Sequence, residues 1–229
     1  MKTFFKKLKR FCIGLLVLHL VYILFCWFFN PPITITQLVS AATGNGLSRT
    51  YVSLDKMSTQ AKLAVMASED QAFPDHNGFD WKSIEKAMKY NKKKPGRVRG
   101  ASTISQQVAK NVFLWQGRSW LRKGLEVYFT FMIELCYSKK RILELYLNVA
   151  EMGEGVFGIE AAAQKYFGKP ASQLSRAEAA QIAACLPNPK IYTVKPISRY
   201  VAARYPYIMR QMANLEGDPD IRAIIQPKK

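Results

Sequence analysis

Acidic side chains are scarce in this chain, and none occurs before Asp55. The 229 residues include 16 Asp or Glu against 34 Lys or Arg, which gives a formal net charge of +18. Histidine occurs twice, and the four cysteines show no short spacing. The chain therefore cannot build a zinc site of the His and Cys type. We expect free thiols in place of disulfides, with Cys136 and Cys185 buried in apolar helical contexts.

An uncharged apolar run near the N-terminus predicts a membrane helix. Residues 11–29, FCIGLLVLHLVYILFCWFF, contain 19 uncharged positions, close to the ~20 that a helix needs to cross a bilayer. A cleaved signal peptide is the alternative, but its apolar core is only ~7–15 residues long and ends at small residues. Here the bulky Trp27, Phe28 and Phe29 lead into Asn30, which favours an uncleaved anchor.

The basic residues that precede the apolar run predict its orientation. By the positive-inside rule, residues 1–10 form a cytoplasmic tail, residues 11–29 cross the inner membrane, and the chain after residue 30 is exported. An exported domain meets no ATP, no nucleotide sugar and no chromosome, so we expect no nucleic-acid partner. Without the five basic residues of 1–10 the remainder still carries +13 (18 less 5), which suits a membrane surface or anionic phosphate substrates.

Helical periodicity dominates the exported region and predicts a mainly α domain with a minor β element near its start. Residues 30–54 are predicted as a connector with extended character, because ITIT at 33–36 alternates at period two and residues 51–54 could form a short strand. Residues 55–229 are predicted as one domain. From caps and apolar spacing we expect helices at about 59–68, from 81, at 101–115, 119–137 and 138–152, from 176 to 187, and from 197 with an interruption at Pro206.

Two polar segments carry the pattern of a catalytic site. The segment SEDQAFPDHNGFDW, residues 68–81, crowds five ionisable side chains around two phenylalanines. The segment RGASTISQQVAKN, residues 99–111, combines hydroxyls, paired amides and a lysine. Burial beside apolar residues would raise the pKa of Glu69, which suits a general base. The helix start after Gly100 would offer free N–H groups to an anion, with Lys110 two turns further along.

These two segments resemble the first two motifs of the family 51 glycosyltransferases, which polymerise bacterial peptidoglycan from a lipid-linked disaccharide. Residues 69–80 match Glu-Asp-x-x-Phe-x-x-His-x-Gly-x-Asp, and residues 100–111 match Gly-x-Ser-Thr-Ile-Ser-Gln-Gln-x-x-Lys-Asn. Residues 118–126, RSWLRKGLE, resemble the family's Arg-Lys-x-x-Glu motif. Residues 139–148 and 174–189 resemble the fourth and fifth motifs, and most of their residues look structural. The blocks follow the family's order.

The resemblance implies a fold, a reaction and a set of site residues. The fold is a lysozyme-like catalytic domain with two lobes and a cleft between them. Glu69 and Glu126 are implied as catalytic residues, with Glu69 removing the proton from the 4-hydroxyl of the acceptor, lipid II. The growing chain is then attacked at C1 with inversion, which forms a β-1,4 link. The residues implied to bind substrate are Asp70, His76, Lys86, Ser102, Gln106, Gln107, Lys110, Asn111, Arg118 and Lys123.

The leaving group and the partners also follow from the resemblance. Lys110, Arg118 and Lys123 would stabilise the departing undecaprenyl pyrophosphate, and the chemistry allows a divalent cation, Mg²⁺ or Mn²⁺, beside them. No organic cofactor and no metal site built from side chains are expected. The implied partners are lipid II, the lipid-linked growing glycan, the membrane and cell-wall synthesis proteins.

Two other functional classes stay open at this point. A membrane-anchored cell-wall hydrolase or lytic enzyme also uses two carboxylates, but its sugar leaving group needs a general acid. A non-catalytic scaffold that binds glycan is the second. The excess of cations over acids favours pyrophosphate displacement. Residues 153–158 match GxGxxG without a βαβ unit, and residues 53–56 and 83–86 match S-x-x-K without K-T-G or S-D-N, so we expect neither dinucleotide binding nor a transpeptidase domain.

Overall fold

The computed structural model describes residues 2–94, 96, 100–117 and 119–226, and this part of the chain is mostly helical. Its helices are α1 (Lys2–Phe28), α2 (Ile35–Ala42), α3 (Thr59–Glu69), α4 (Trp81–Lys93), α5 (Ile104–Phe113), α6 (Trp120–Cys136), α7 (Lys139–Val149), α8 (Ile159–Phe167), α9 (Arg176–Cys185), α10 (Arg199–Leu215) and α11 (Pro219–Ile225). The strands β1 (Ser48–Arg49), β2 (Glu151–Gly153) and β3 (Val156–Phe157) form a small sheet in the order β1-β3-β2. The prediction of a mainly α protein with a minor β element is confirmed.

Helix α3 is the buried centre of the larger helical group. It packs against α9 and α10 and touches α11. Every residue from 61 to 67 is buried, because the helix is covered on all sides. Lys62 lies within this run, and its ammonium group donates to the carbonyl of Ile225 at 2.9 Å. A helix held on all sides fixes the direction of its last residue, Glu69.

A second group of helices packs around α5. Helix α5 contacts α6 on one side and α7 on another, and α2 lies against it. Its apolar stripe contains Ile104, Val108 and Val112, all of which are buried. The helix predicted over 101–115 is shorter in the structure, because α5 ends at Phe113, and Trp115 beyond it is 41% exposed. The two groups of helices meet where α3 ends and α5 runs past it.

Helix α1 contains the predicted anchor. The stretch Thr3–Phe28 is long and apolar enough to cross a membrane, with a mean hydropathy of 2.4 over its best window and 11% of that window buried. Its C-terminal half touches Phe113 of α5 and Arg141 of α7, and it packs most extensively along α6. There His19 Nε2 lies 2.7 Å from the hydroxyl of Tyr128. Most of the surface of α1 is therefore available to lipid.

The C-terminal end of α1 is fastened to the catalytic region by hydrogen bonds to its last carbonyls. Arg141 Nη2 donates to the carbonyls of Cys26 at 2.9 Å and Phe29 at 2.7 Å. The hydroxyl of Tyr137 donates to the carbonyl of Ile23 at 2.5 Å. Cys26 is among the last four residues of α1, whose carbonyls have no partner within the helix, so Arg141 satisfies a group that burial would otherwise penalise.

The connector differs from its prediction in two places. The second half of ITIT, Ile35 and Thr36, begins α2. The cause is a capping box in which the side chains of Thr34 and Gln37 each accept the other's backbone N–H. The first strand is Ser48–Arg49, and residues 51–53 are irregular. Period-two alternation over four residues is too short to outweigh a complete cap.

The predicted interruption of the last long helix at Pro206 is wrong. Helix α10 runs from Arg199 to Leu215 with Pro206 inside it. Val201, Ile208 and Met212 are buried on either side of the proline, where α10 packs on α3 and α9. This burial offsets the roughly 3 kcal/mol that an interior proline costs a helix. Short helix α11 follows it and was not predicted.

Candidate active site

Glu69 is the last residue of α3 and lies at the junction of the two helical groups. Its Oε2 accepts a hydrogen bond of 2.8 Å from the side-chain amide of Gln107 on α5, and its Oε1 lies 3.2 Å from the hydroxyl of Ser68. Burial raises the pKa of the Glu69 carboxyl, and the bonds from Gln107 and Ser68 offset part of that rise. A carboxyl of this kind holds a proton more readily than an exposed one, which suits a general base.

The orientation of Gln107 is set from its other side by Tyr146. The hydroxyl of Tyr146 donates to Gln107 Oε1 at 3.3 Å, so the amide presents its N–H group to Glu69. Tyr146 is 1% exposed and comes from α7. Two hydrogen bonds in series, from Tyr146 to Gln107 and from Gln107 to Glu69, thus hold Glu69 and link α7, α5 and α3. Sequence analysis treated the segment of Tyr146 as structural and missed this contact.

Asp70 and His76 form a closed internal pair beside Glu69. His76 Nε2 lies 3.0 and 3.1 Å from the two oxygens of Asp70, while its Nδ1 accepts from the backbone N–H of Gly78 at 3.2 Å. The proton of the neutral ring is therefore on Nε2. The side chains of Asp70 and His76 are 3% and 9% exposed. Their predicted contact with substrate is untested, and these contacts favour a positioning role.

The start of α5 differs from the anion site that its sequence suggested. Thr103 is the N-cap, and Gln106 completes a capping box with it. The backbone N–H of Ile104 donates to Asp70 Oδ2 at 3.0 Å. The anion at this helix N-terminus is thus the carboxylate of Asp70, which the helix dipole favours. Gln106, predicted to bind substrate, is 5% exposed and works here as a cap.

Lys110 and Asn111 lie further along α5 and face a cleft of about 450 Å³. Burial lowers the pKa of the Lys110 ammonium, and the negative charges of Glu126 and Glu69 oppose that effect. Lys110 therefore lies within the field of both predicted catalytic carboxylates. An ammonium that has already lost water binds an anion strongly, because little further desolvation is needed.

Glu126 is a buried carboxylate that holds two cations from its own helix. Arg122 Nη1 lies 2.8 Å from Oε2, and Lys123 Nζ lies 2.5 Å from Oε1. Glu126 is 3% exposed, whereas the Lys123 side chain is 44% exposed. Among the described residues, Arg122 Nε is buried without a hydrogen-bond partner. Arg122 is not among the residues that the resemblance implies, and the structure adds it to the site.

The cleft contains groups that sequence analysis did not single out. Besides Gln107, Lys110 and Asn111, its lining includes Thr36, Ser40, Thr43, Asn45, Gln116, Tyr146, Glu151, Leu186, Pro187, Pro189 and Lys190. Burial raises the pKa of Glu151, whose Oε1 accepts from the backbone N–H of Gly155 at 3.2 Å. A lining of hydroxyls, amides and prolines suits a sugar. Helix α2 supplies part of it, and the prediction of an extended connector did not reveal that part of the cleft.

The remaining predicted residues lie outside this cleft. Lys86 is exposed on α4, and Ser102 is exposed in the loop before α5. Lys123 lines a separate hollow of about 290 Å³ with Ser119, Trp120 and Arg122. Arg118 and the loop at 97–99 lie outside the described residues. The structure therefore brings Glu69, Gln107 and Lys110 close together and leaves Lys86 and Ser102 apart.

The donor groups of the site do not suit a metal held by the protein alone. Within the described ranges, no group of three or more His, Cys, Asp or Glu residues could hold one. The oxygens of Glu69 face an amide and a hydroxyl, and those of Glu126 face two cations. The cations of the site, Lys110, Arg122 and Lys123, instead suit an anionic ligand, because Glu126 is the one carboxylate that pairs with any of them among the described residues.

Comparison with known proteins points to one family. The sequence model of the family described as "Transglycosylase" matches residues 36–213. A "Biosynthetic peptidoglycan transglycosylase" of Shigella boydii is 60% identical over 169 residues, which is 74% of this chain and 70% of the relative. A protein of the same description from Escherichia coli has the same identity and coverage. The matched region contains the whole site from Glu69 to Lys190.

Proposed function

The chain belongs to the transglycosylase family and is a peptidoglycan glycosyltransferase, and on that premise we propose how its residues carry out the reaction. Glu69 removes the proton from the 4-hydroxyl of the sugar of lipid II. The freed oxygen forms a bond to C1 of the last sugar of the growing glycan. The bond from C1 to the pyrophosphate oxygen breaks, and its electron pair leaves with undecaprenyl pyrophosphate. The configuration at C1 inverts.

The observation that carries this assignment is the half-buried carboxylate of Glu69 near the half-buried ammonium of Lys110. Gln107 holds Glu69 at 2.8 Å, and Lys110 follows Gln107 by one turn on the same helix. A base with a raised pKa can accept the hydroxyl proton and keep it while the new bond forms. A nearby cation can neutralise the leaving group at the same moment.

Lys110 and the cluster of Arg122, Lys123 and Glu126 would receive the pyrophosphate. Glu126 fixes two cations at 2.8 and 2.5 Å, so their charge is positioned before substrate binds. In this scheme Glu126 orients the cations and does not exchange a proton. Arg118 remains a proposed member of the same group. Asp70 and His76 support Glu69 from the protein side.

The substrate explains the anchor. We propose that α1 crosses the inner membrane with residues 1–10 in the cytoplasm, because its basic residues precede the apolar stretch. Arg141 ties the far end of α1 to α7. The catalytic region would then stay at the surface where a polyprenyl substrate presents its head group. Cell-wall synthesis proteins stay proposed partners.

A requirement for a divalent cation stays a prediction. The described side chains supply no cage for one, so no step above depends on a metal. A cation that takes part would be carried by the phosphates of the substrate. Polymerisation measured with EDTA and with added Mg²⁺ or Mn²⁺ tests the requirement.

The decisive experiment uses the full chain in detergent with lipid II as the only substrate. Wild type should produce glycan polymer, Glu69→Gln should reduce the rate by at least about 10²-fold, and Glu154→Gln, on an exposed carboxylate, should leave it unchanged. Shortening of preformed glycan without polymer would show a hydrolase. Glycan binding without any turnover would show a scaffold. Equal rates for wild type and Glu69→Gln would remove Glu69 as the base.

A further inference from the structure

Among the described residues, three charged side chains line the cleft, and the reaction proposed above uses one of them. They are Lys110, Glu151 and Lys190. Lys110 faces the leaving group in that scheme. Glu151 on β2 and Lys190 in the turn after α9 take no part in it. The cleft therefore contains one negative and one positive charge that the reaction does not require.

The local backbone fixes Glu151 on the wall of the cleft. The pairing of β2 with β3 is irregular between Glu151 and Gly153, and an irregularity of this kind bends a strand and redirects its side chains. Glu151 Oε1 accepts from the backbone N–H of Gly155 at 3.2 Å. Gly155 has a φ of +67°, and a Cβ at this position would collide with the carbonyl oxygen of Asn45. The turn that holds the carboxylate is thus closely packed against the segment after α2.

Lys190 projects from a short turn whose backbone is restricted. Pro187 and Pro189 each fix their own φ, and the backbone N–H of Ile191 donates to the carbonyl of Asn188 at 3.0 Å. Lys190 is exposed, and within the described part of the chain its ammonium forms no hydrogen bond and no ion pair. A flexible lysine on a stiff turn can adjust to a ligand while its Cα stays in place.

Glu151 and Lys190 lie within each other's electrostatic field without pairing. Burial raises the pKa of Glu151, while the bond from Gly155 and then the charge of Lys190 lower it. The ion pairs of the described residues include neither side chain, and Glu151 Oε2 has no hydrogen-bond donor among those residues. Two opposite charges that stay apart in one cleft can each bind a group of opposite charge. The arrangement therefore fits a ligand that carries both an ammonium and a carboxylate.

The peptide is the part of the substrate that has both kinds of group. Sugar hydroxyls are neutral and the pyrophosphate is an anion, so neither satisfies both charges. A peptidoglycan is a glycan that carries peptides, and the amino acids of a peptide supply carboxylates and ammonium groups that are ionised near pH 7. We propose that Glu151 and Lys190 bind the peptide of the substrate, Glu151 through an ammonium group and Lys190 through a carboxylate. The inference rests on the proposed function, because it concerns which part of lipid II lies at this place in the cleft.

The test compares three forms of lipid II with the full chain in detergent. The first has its intact peptide, the second has the free amine of the peptide acetylated, and the third has the peptide carboxylates amidated. Glu151→Gln keeps an oxygen for the N–H of Gly155 and removes the charge. It should raise KM for the intact form by about tenfold with kcat near wild type, because a charge-assisted hydrogen bond is lost.

The modified substrates identify the partner of each charge. The acetylated form has already lost its contact with Glu151, so its KM should be the same for wild type and Glu151→Gln. Lys190→Gln should raise KM for the intact form and leave KM for the amidated form unchanged. Glu154→Gln is the matched control, because it removes an exposed carboxylate three residues from Glu151, and it should leave all three KM values unchanged.

Equal KM values of wild type for the three forms would overturn the inference, and so would an increase in Glu151→Gln that is the same for the intact and acetylated forms. Binding to Glu69→Gln separates the inference from the reaction, and its Kd should be about tenfold weaker for the acetylated form than for the intact one. Polymer from wild type with equal KM values would refute the inference and support the reaction. No polymer from wild type, with a Kd that still depends on the peptide charges, would refute the reaction and support the inference.

Discussion

The carboxylate of Glu69 accepts a hydrogen bond of 2.8 Å from the side-chain amide of Gln107. That amide could present either its oxygen or its nitrogen, and only the nitrogen can donate to a carboxylate. Tyr146 settles the orientation by donating to Gln107 Oε1 at 3.3 Å. The position of the proposed base therefore depends on a hydroxyl that does not touch it.

Tyr146→Phe should lower kcat by about 3- to 10-fold with little change in KM, because one neutral hydrogen bond contributes about 0.5–1.5 kcal/mol. The lost bond lets Gln107 turn, so Glu69 loses a fixed donor and its pKa should rise further. Rates on lipid II across pH would show the acid limb moving to higher pH. Tyr166→Phe is the matched control, because the hydroxyl of Tyr166 bonds the carbonyl of Met152 away from the base. An unchanged acid limb in Tyr146→Phe would contradict this role.

The raised pKa of Glu69 predicts opposite effects of pH on activity and stability. Activity requires the carboxylate, so kcat/KM should fall tenfold per unit of pH below the Glu69 pKa, which lies above the ordinary ~4.3. The folded state binds this proton more tightly than the unfolded state, so the stabilising contribution of Glu69 is full below about pH 4 and is lost as pH rises through the folded pKa. Glu69→Gln should therefore be at least as stable as wild type at pH 7, as denaturant unfolding can show. A strongly destabilised Glu69→Gln would refute this account.

Loss of the proton from the Lys110 ammonium should set the pH at which activity on lipid II falls on the alkaline side. Burial lowers the pKa of its ammonium, and the neutral amine cannot stabilise pyrophosphate. Lys110→Gln should reduce kcat by about 10²- to 10³-fold. Lys110→Arg keeps a permanent charge and should move the alkaline limb upward. Lys165→Gln removes an exposed charge and should change neither, and a Lys110→Gln variant with wild-type kcat would exclude the role.

The helical caps and stripes of the region after α1 could be predicted from sequence because they are local. Ser58, Asp80, Ser138 and Ser175 each accept the backbone N–H bond expected of an N-cap. The prediction of extended structure at 33–36 was wrong. Four alternating residues are typical of a strand, whereas the helix cap depends on Gln37, which lies outside those four residues.

Contacts between distant segments could not be predicted in this way. Asp70 was visible as an acid near Glu69, but its bond to Ile104 N spans 34 residues. The pairing of Tyr146 with Gln107 spans 39 residues. Residue types singled out Glu69, Gln107 and Lys110, which the structure brings together, whereas the bonds that support Glu69 from within the protein required the fold.

Arg141 should couple the anchor to the catalytic region. Its guanidinium donates to the carbonyls of Cys26 and Phe29 and pairs with Glu144. The single nitrogen of a lysine lacks the span of the planar guanidinium fork and would reach fewer of these acceptors. Arg141→Lys should lower the free energy of unfolding by about 1–3 kcal/mol. Calorimetry in detergent would measure it against Arg199→Lys, an exposed position. No difference between the two variants would mean that these bonds do not hold the helix.

The neighbouring side chains Gln106 and Gln107 allow a structural role to be tested separately from a catalytic one. Gln106 Oε1 accepts the buried backbone N–H of Thr103 at 3.1 Å, so Gln106→Ala should lower the free energy of unfolding by about 1–2 kcal/mol and leave kcat near wild type. Gln107 bonds the base and lines the cleft, so Gln107→Ala should lower kcat by about tenfold or more and leave unfolding nearly unchanged. Each variant is the control for the other, because both remove the same side chain from α5. If both lost activity in proportion to stability, Gln107 would be a structural residue only, and the chain from Tyr146 to Glu69 would have no part in catalysis.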